Sequence, residues 1–276
     1  MKKIFLTGLI ALAFGQFGSY AQGCIEPSSS ASGPQVIGYV QGENVTQFKD
    51  NDQTTNSFSF RRARIGVTGS IPYNFTYYVM SEMSPTQKGP YILDAFLTWK
   101  AANNYFKVTA GQFKIPFGLE ISTPCQSLFT YERSNMVIKQ IPFIREQGLM
   151  FTDSTDSLQI FGLEKPNLFT YALAVVNGTG RNVDDTNRAK DIIGRVTFAP
   201  SKFLQIGGSF MSGQEKNPDP AVTKADVRSR WGADLQLSFP IGKFGVISQT
   251  EFLQAKDEGS KVIGGGCSGT SEVVKG

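Results

Sequence analysis

The stretch Arg230-Trp-Gly-Ala-Asp-Leu-Gln-Leu-Ser-Phe239 alternates strictly between two kinds of residue. Its odd-numbered positions carry Trp, Ala, Leu, Leu and Phe, and its even-numbered positions carry Arg, Gly, Asp, Gln and Ser. A period of two is that of a β-strand, because successive side chains point to opposite sides of a sheet. The stretch therefore predicts a strand with one apolar face and one polar face.

The same alternation recurs from Val36 onward in segments rich in Val, Ile, Phe, Tyr and Thr. The clearest of the other segments are 94–101, 106–111, 191–198 and 202–211. Their second face is made of Gly, Ser, Thr, Gln and charged residues, which suits a water-filled lumen. Their apolar faces carry aromatic residues near the turns, as the girdles of transmembrane barrels do.

The connections between these segments alternate in length. Short turns containing Pro, Asn or Gly lie at 70–74, 101–104, 165–167, 199–202 and 240–243. Longer polar links lie between them, at about 46–56, 82–90, 114–146, 177–188 and 212–227. Transmembrane barrels have short periplasmic turns and long extracellular loops. The sequence thus predicts an all-β, antiparallel transmembrane β-barrel over residues 35–256 with eleven strands, followed at 257–276 by a polar, Gly-rich tail or the start of an extracellular loop.

The N-terminus has the pattern of a secretory signal peptide. Lys2 and Lys3 precede the apolar segment 4–14, which is too short to span a membrane as a helix, and small residues follow up to Ala21. We expect residues 1–21 to be removed and residues 22–34 to form a flexible lead-in. Cys24 leaves a lipoprotein as the alternative, although the residues before it make a poor lipidation box.

The composition excludes several classes of function. The chain has no histidine, which excludes Ser-His-Asp and Cys-His catalysis and His-ligated zinc, and it disfavours an outer-membrane lipase or protease. Without Lys2 and Lys3 the net charge of +4 falls to +2, which argues against a nucleic-acid-binding protein. Cys24, Cys125 and Cys267 are too few for a thiolate metal site, and we expect no metal or cofactor. They are either three incidental thiols or include a Cys24–Cys125 bridge.

The connection 114–146 is longer than compact domains usually allow for a loop without a function. Its aromatic residues favour packing against a wall, and its charges favour an aqueous space. We expect it to fold into the lumen as a constriction loop. Its basic candidates for lining the pore are Lys114, Arg133, Lys139 and Arg145, and its acidic residues are Glu120, Glu132 and Glu146.

Four cations of the strands are predicted to face the lumen. Arg62 and Arg64 fall on the polar face of their segment, and an arginine facing lipid at mid-depth costs about 2–4 kcal/mol. They either form a step of an anion path or pair with inward carboxylates such as Asp94 and Asp234. Lys107 and Arg195 are the other two.

Three further arginines have open assignments. Arg61 falls on the lipid side of the alternation, so it lies near an interface or a bulge shifts the strand. Arg228 and Arg230 either draw anions toward the pore mouth or are solvated rim charges.

Four stretches resemble the phosphate-selective porin O and P family of Gram-negative outer membranes. They are FRRARIGVTG at 60–69, AGQFKIPFG at 110–118, AVVNG at 174–178 and GRVTFAP at 194–200. The resemblance implies a 16-stranded, usually trimeric porin that conducts anions through a pore lined with basic residues. The chain departs from that pattern in lacking the last strands, so we expect it to be a fragment or a truncated product.

The sequence therefore predicts an outer-membrane porin for passive diffusion of small hydrophilic, preferentially anionic solutes, possible examples being phosphate and polyphosphate. The expected partners are the lipid bilayer, small anions and further copies in a homotrimer, with no nucleic acid. A secreted or surface-attached β-sandwich binding protein, similar to a lectin or adhesin, is the alternative, since a sandwich also alternates.

Overall fold

One antiparallel sheet of eleven strands makes up most of the protein. The computed structural model describes residues 33–47, 55–101, 106–141, 143–153, 168–185, 188–215, 226–241, 244–257, 261–263 and 272–274. The expectations for the signal peptide, the lead-in up to residue 32, Cys24 and Cys267 lie outside these residues.

Each strand of the sheet pairs with the next one along the chain, so the strand order is β1 to β11. The eleven strands counted in the sequence are confirmed. Their bounds are β1 Gln35–Gln47, β2 Thr55–Ile71, β3 Phe75–Glu82, β4 Tyr91–Lys100, β5 Phe106–Lys114, β6 Arg145–Asp153, β7 Phe169–Val176, β8 Asp191–Ser201, β9 Leu204–Glu215, β10 Asp226–Ile241 and β11 Phe244–Asp257.

The two ends of the sheet are β1 and β11, which within the described ranges pair only with β2 and β10, respectively. Farther along the chain, β12 (Lys261–Ile263) and β13 (Glu272–Val274) form a separate two-stranded ladder. The tail assigned to 257–276 thus contains a short pair of strands. That the chain lacks further strands of the barrel stays a prediction.

The sheet is apolar outside and polar inside. On β10 and its neighbours the apolar side chains are exposed, with Trp231 at 49% and Phe252 at 54%. The polar side chains of the other face, such as Asp234 and Gln236, are buried. The predicted faces are confirmed. The sandwich alternative is wrong, because a soluble sandwich buries the apolar face of its strands against a second sheet.

A β-bulge in β2 accounts for Arg61. Gln41 of β1 pairs with Arg62, but the next residue, Gly42, pairs with Phe60, so Arg61 is the extra residue of β2. A bulge places two residues opposite one and reorients the side chains around it. The bulge alternative for Arg61 is therefore confirmed.

The connections differ in length as expected where the structure describes them. Only residues 72–74 separate β2 from β3, and only 202–203 separate β8 from β9. The predicted turn at 165–167 lies outside the described ranges, as do residues 242–243 of the turn at 240–243 and most of the turn at 101–104. Residues 83–90 join β3 to β4 and include a 3-10 turn at Pro85–Gln87.

The longest described connection runs from 115 to 144 and is called the lumen loop below. It contains two short helices, α1 (Leu119–Ser122) and α2 (Asn135–Gln140), and a 3-10 turn at Cys125–Ser127. No helix among the described residues has the length and hydropathy needed to cross a membrane. The predicted bounds of 114–146 were slightly too wide, because Lys114 ends β5 and Arg145 and Glu146 begin β6.

An arginine on the outer face should destabilise the protein far more than one on the inner face at the same depth. Leu235→Arg would place a cation in lipid at a cost of about 2–4 kcal/mol. Gln205 lies one register pair away on the inner face, and Gln205→Arg should cost less than about 1 kcal/mol. Denaturant unfolding of each variant in lipid vesicles measures the difference, and equal losses of stability would contradict the assignment of the faces.

Candidate functional site in the lumen

The lumen loop packs against an apolar patch on the inner face of the sheet. The patch is made by residues of β5, β7, β8, β9 and β11, whose inward positions are otherwise mostly polar. Loop and patch share one buried cluster, to which the loop contributes Ile115, Phe117, Ile121, Val137 and Ile141, and the strands contribute Phe113, Ala174, Val176, Ile193, Met211 and Leu253. The predicted wall for the loop is therefore present, and it is apolar.

Hydrogen bonds fix the start of the loop to the same side of the lumen. The carboxylate of Glu251 on β11 accepts from the backbone N–H of Leu119 at 2.8 Å and of Glu120 at 3.0 Å. The hydroxyl of Ser209 on β9 accepts from the N–H of Gly118 at 2.9 Å. Gly118 has φ of +66°, a conformation that glycine adopts without steric strain.

The tip of the loop contacts β2, near the other end of the strand order. Glu132 Oε1 lies 2.5 Å from Arg61 Nε and 2.8 Å from Arg62 Nη2. A single loop thus contacts both β2 and β11, which requires the sheet to curl around it. The loop crosses the enclosed space from one part of the wall to another.

Arg133 holds the loop in shape. Its side chain is buried, and the guanidinium donates to the carbonyl of Thr123 at 2.7 Å, to that of Glu120 at 3.2 Å and to Cys125 Sγ at 3.2 Å. The Glu120 carboxylate in turn accepts from the hydroxyl of Ser134, the N-cap of α2, at 2.7 Å. Arg133 was predicted as a lining residue, and its guanidinium is directed at the loop backbone.

Arg64 of β2 and Arg145 of β6 are paired with carboxylates on β3 and β4, respectively. Arg64 Nε donates to Glu82 at 2.8 Å, and Arg145 donates to both oxygens of Asp94 at 2.8 and 3.2 Å. Pairing with carboxylates was one of the two alternatives for Arg64, but the suggested partner was wrong. Glu82 is its direct cross-strand neighbour in the register, whereas Asp94 lies on β4.

Two arginine–aspartate pairs join β8 to β10 across β9. Arg195 on β8 donates to Asp234 on β10 at 2.6 and 3.0 Å. Arg228 on β10 is paired with Asp191 on β8 at 2.5 Å. The strand between them carries glycine at both crossings, and a Cβ there would collide with the carboxylate of Asp234 or Asp191. The crossing points are Gly207 and Gly213 of β9.

These contacts correct the remaining assignments of the arginines. Asp234 was suggested as a partner of Arg62 or Arg64, but it pairs with Arg195, and Arg62 pairs with Glu132. Arg228 and Arg230 are buried, so neither is a solvated rim charge. Arg230 is paired with Asp257 at 2.8 Å and donates to the carbonyl of Gln140, which ties the end of α2 to the wall.

The three predicted lysines differ in their surroundings. Lys107 is buried on the inner face of β5, as its alternation indicates. Lys114 donates to the carbonyl of Thr123 at 3.2 Å, within the lumen loop. Lys139 on α2 is exposed, and among the described residues no carboxylate contacts it. It is therefore the lysine of this set whose charge is open to solution.

A model of the phosphate-selective porin O and P family matches residues 39–228, well over half of the chain. The chain belongs to this family. It is accordingly a transmembrane β-barrel protein of the bacterial outer membrane, and the expected membership is confirmed.

Other known proteins are similar at lower levels. An uncharacterized protein of Aquifex aeolicus (strain VF5) is 24% identical over 259 residues, which cover 76% of this chain and 60% of that protein. The chain thus spans less than two thirds of that relative's length. An anion-selective porin from Comamonas acidovorans has a TM-score of 0.44 at 11% identity, with 82% of this chain and 80% of that chain covered. The outer membrane protein OmpT of Vibrio cholerae, folded in vitro, has a TM-score of 0.40 at 11% identity, with 89% and 80% covered.

The apolar patch, the role of Glu251 and the contact of a second loop with the strands were not predicted from the sequence of this porin-family chain. Residues 177–185 between β7 and β8 cross the loop-side ends of β6, β5 and β4. The N–H of Gly180 donates to Glu146 at 3.0 Å, and Asn182 donates to Gln112 at 2.7 Å and to the carbonyl of Ile92 at 2.8 Å. A polar loop segment gives no sequence signal for such contacts.

Gly118→Ala should loosen the lumen loop at its start. Alanine is strained at a positive φ by about 1–2 kcal/mol, and its Cβ would collide with the Glu251 carboxylate that holds Leu119 and Glu120. We expect faster proteolytic cleavage within 119–141 and a lower free energy of unfolding.

Gly42→Ala is the matched control, because a Cβ at Gly42 meets no atom within 4 Å. The control should be cleaved at the wild-type rate. Equal cleavage rates for the two variants would show that Gly118 does not anchor the loop.

Proposed function

We propose that this outer-membrane protein conducts small hydrophilic solutes, anions in preference to cations, through a lumen narrowed by the lumen loop. The polar face of the strands lies inside, which gives the solutes an aqueous path. The loop crosses that path and is held at both sides of the lumen by Glu251 and Glu132. Charged groups at a constriction set the sign of the selectivity.

The observation that carries the anion preference is the distribution of unbalanced charge. Arg64, Arg145, Arg195 and Arg228 are each paired with a carboxylate, so they contribute little net field. At the loop, however, Lys139 on α2 is exposed, and among the described residues no carboxylate contacts it. Arg61 and Arg62 lie beside the tip of the loop, where both contact Glu132.

The arginines beside the lumen loop indicate which anions the pore would prefer. Guanidinium groups bind oxyanions well because their planar forks match two oxygens at once. The adjacent guanidiniums of Arg61 and Arg62 support phosphate or polyphosphate as preferred solutes. The homotrimer that the family resemblance implies stays a prediction.

The sign of the reversal potential in planar bilayers under a potassium chloride gradient tests the proposal. Wild-type protein should reverse on the anion side. Lys139→Glu should move the reversal potential toward the cation side, because it replaces an exposed positive charge in the lumen by a negative one.

Lys202→Glu is the control, since Lys202 is exposed in the short turn between β8 and β9, at the opposite end of the strands from the loop. It makes the same change of charge and should shift the reversal potential much less. Wild-type cation selectivity would overturn the proposal, as would equal shifts in the two variants.

A further inference from the structure

Glu132 occupies a position in which an anion is bound by two guanidinium groups. Its contacts with Arg61 Nε and Arg62 Nη2 both end on the same oxygen, Oε1. Arg62 also donates through Nη1 to Gln41 Oε1 at 2.6 Å, which fixes its orientation against β1. The carboxylate therefore occupies a position in which a dissolved oxyanion could accept hydrogen bonds from both guanidinium groups.

The β-bulge creates this arrangement. Consecutive residues of a regular strand point to opposite faces, so Arg61 and Arg62 would be separated by the sheet. The bulge at Arg61, opposite Gln41 and Gly42 of β1, interrupts this alternation and lets both side chains reach the same acceptor. The pair is thus a property of this backbone geometry and not of two adjacent arginines alone.

Water reaches the Arg61 side of the contact. The side chain of Glu132 is 25% exposed and that of Arg61 is 21% exposed, whereas the side chain of Arg62 is buried. An ion pair with access to solvent, such as Arg61–Glu132, contributes only about 0–1 kcal/mol. A dissolved anion at millimolar concentration can compete with a carboxylate held on a flexible segment, whose effective concentration is also in the millimolar range.

The loop tip can release Glu132 without unfolding the loop. Phe129, Thr130 and Tyr131 before it are exposed, so the tip buries little surface of its own. Arg133 directly after it is buried and hydrogen-bonded to four loop residues, which confines any movement to the tip.

We propose that Glu132 is a tethered competing anion, which an oxyanion such as phosphate displaces from Arg61 and Arg62 as it passes through the lumen. Phosphate offers a separate oxygen to each guanidinium, whereas Glu132 offers one oxygen to both. The displacement leaves a transient binding site and a freed loop tip. This inference rests on the proposed anion pore.

Phosphate binding to the full-length protein in detergent, measured by titration calorimetry, tests the inference. Glu132→Gln removes the competing charge and should tighten the apparent phosphate dissociation constant about three- to tenfold. Arg61→Gln should weaken it.

Asp184→Asn is the matched control, because Asp184 is exposed in the loop between β7 and β8 and the substitution changes the net charge equally. It should bind phosphate as the wild type does. The inference is overturned if Glu132→Gln binds phosphate as Asp184→Asn does, or more weakly than the wild type. Reversal potentials of the same proteins distinguish the two hypotheses. If the proposed anion pore is wrong, the wild type shows no anion selectivity; if only the displacement of Glu132 is wrong, the wild type is still anion-selective.

Discussion

The apolar contact between the lumen loop and the inner wall is the interaction on which the rest of the site depends. An inner wall that faced only water would have no reason to carry Val176, Ile193, Met211 and Leu253. Burying a large apolar side chain contributes about 1.5–3 kcal/mol, whereas a solvent-accessible ion pair contributes about 0–1 kcal/mol. The contact with the wall therefore holds the loop in the lumen, and the contact of Glu132 with β2 only positions its tip. This difference in strength is what allows the tip to exchange its partner while the loop stays in place.

Ion pairs between strands determine how much of the lumen's positive charge reaches a solute. Four strand arginines are bound to carboxylates at 2.5–2.8 Å, so they brace the wall between β2 and β10. The glycines of β9 make two of these pairs possible, because any side chain there would stand between the arginine and the aspartate. Of the cations predicted to line the pore, Lys139 on the lumen loop is the one that is exposed. The proposed selectivity of the pore is therefore a property of the loop more than of the whole wall.

Strand number, strand faces and the loop could be predicted from the sequence, because alternation and turn residues are local signals. The same alternation also indicates the apolar patch, at the positions where the alternation is interrupted. Val175-Val176, Ile192-Ile193, Phe210-Met211 and Phe252-Leu253 each place two apolar residues side by side, so one of each pair must face inward. The partners of the arginines could not be predicted, because they depend on register: Glu82 is opposite Arg64 only once β2 and β3 are aligned. The shared contact of Arg61 and Arg62 depends on a bulge, which a single sequence does not locate.

Amide hydrogen exchange of the lumen loop tests most directly whether it is part of the wall. The N–H groups of Leu119 and Glu120 donate to the Glu251 carboxylate, and the N–H of Ile141 donates to the carbonyl of Val137, beside a buried apolar cluster. In the folded protein these amides should exchange as slowly as those of the neighbouring strands, while residues 129–131 at the tip exchange fast. Fast exchange throughout 118–141, at the rate of an exposed loop, would contradict a docked loop and with it the constriction.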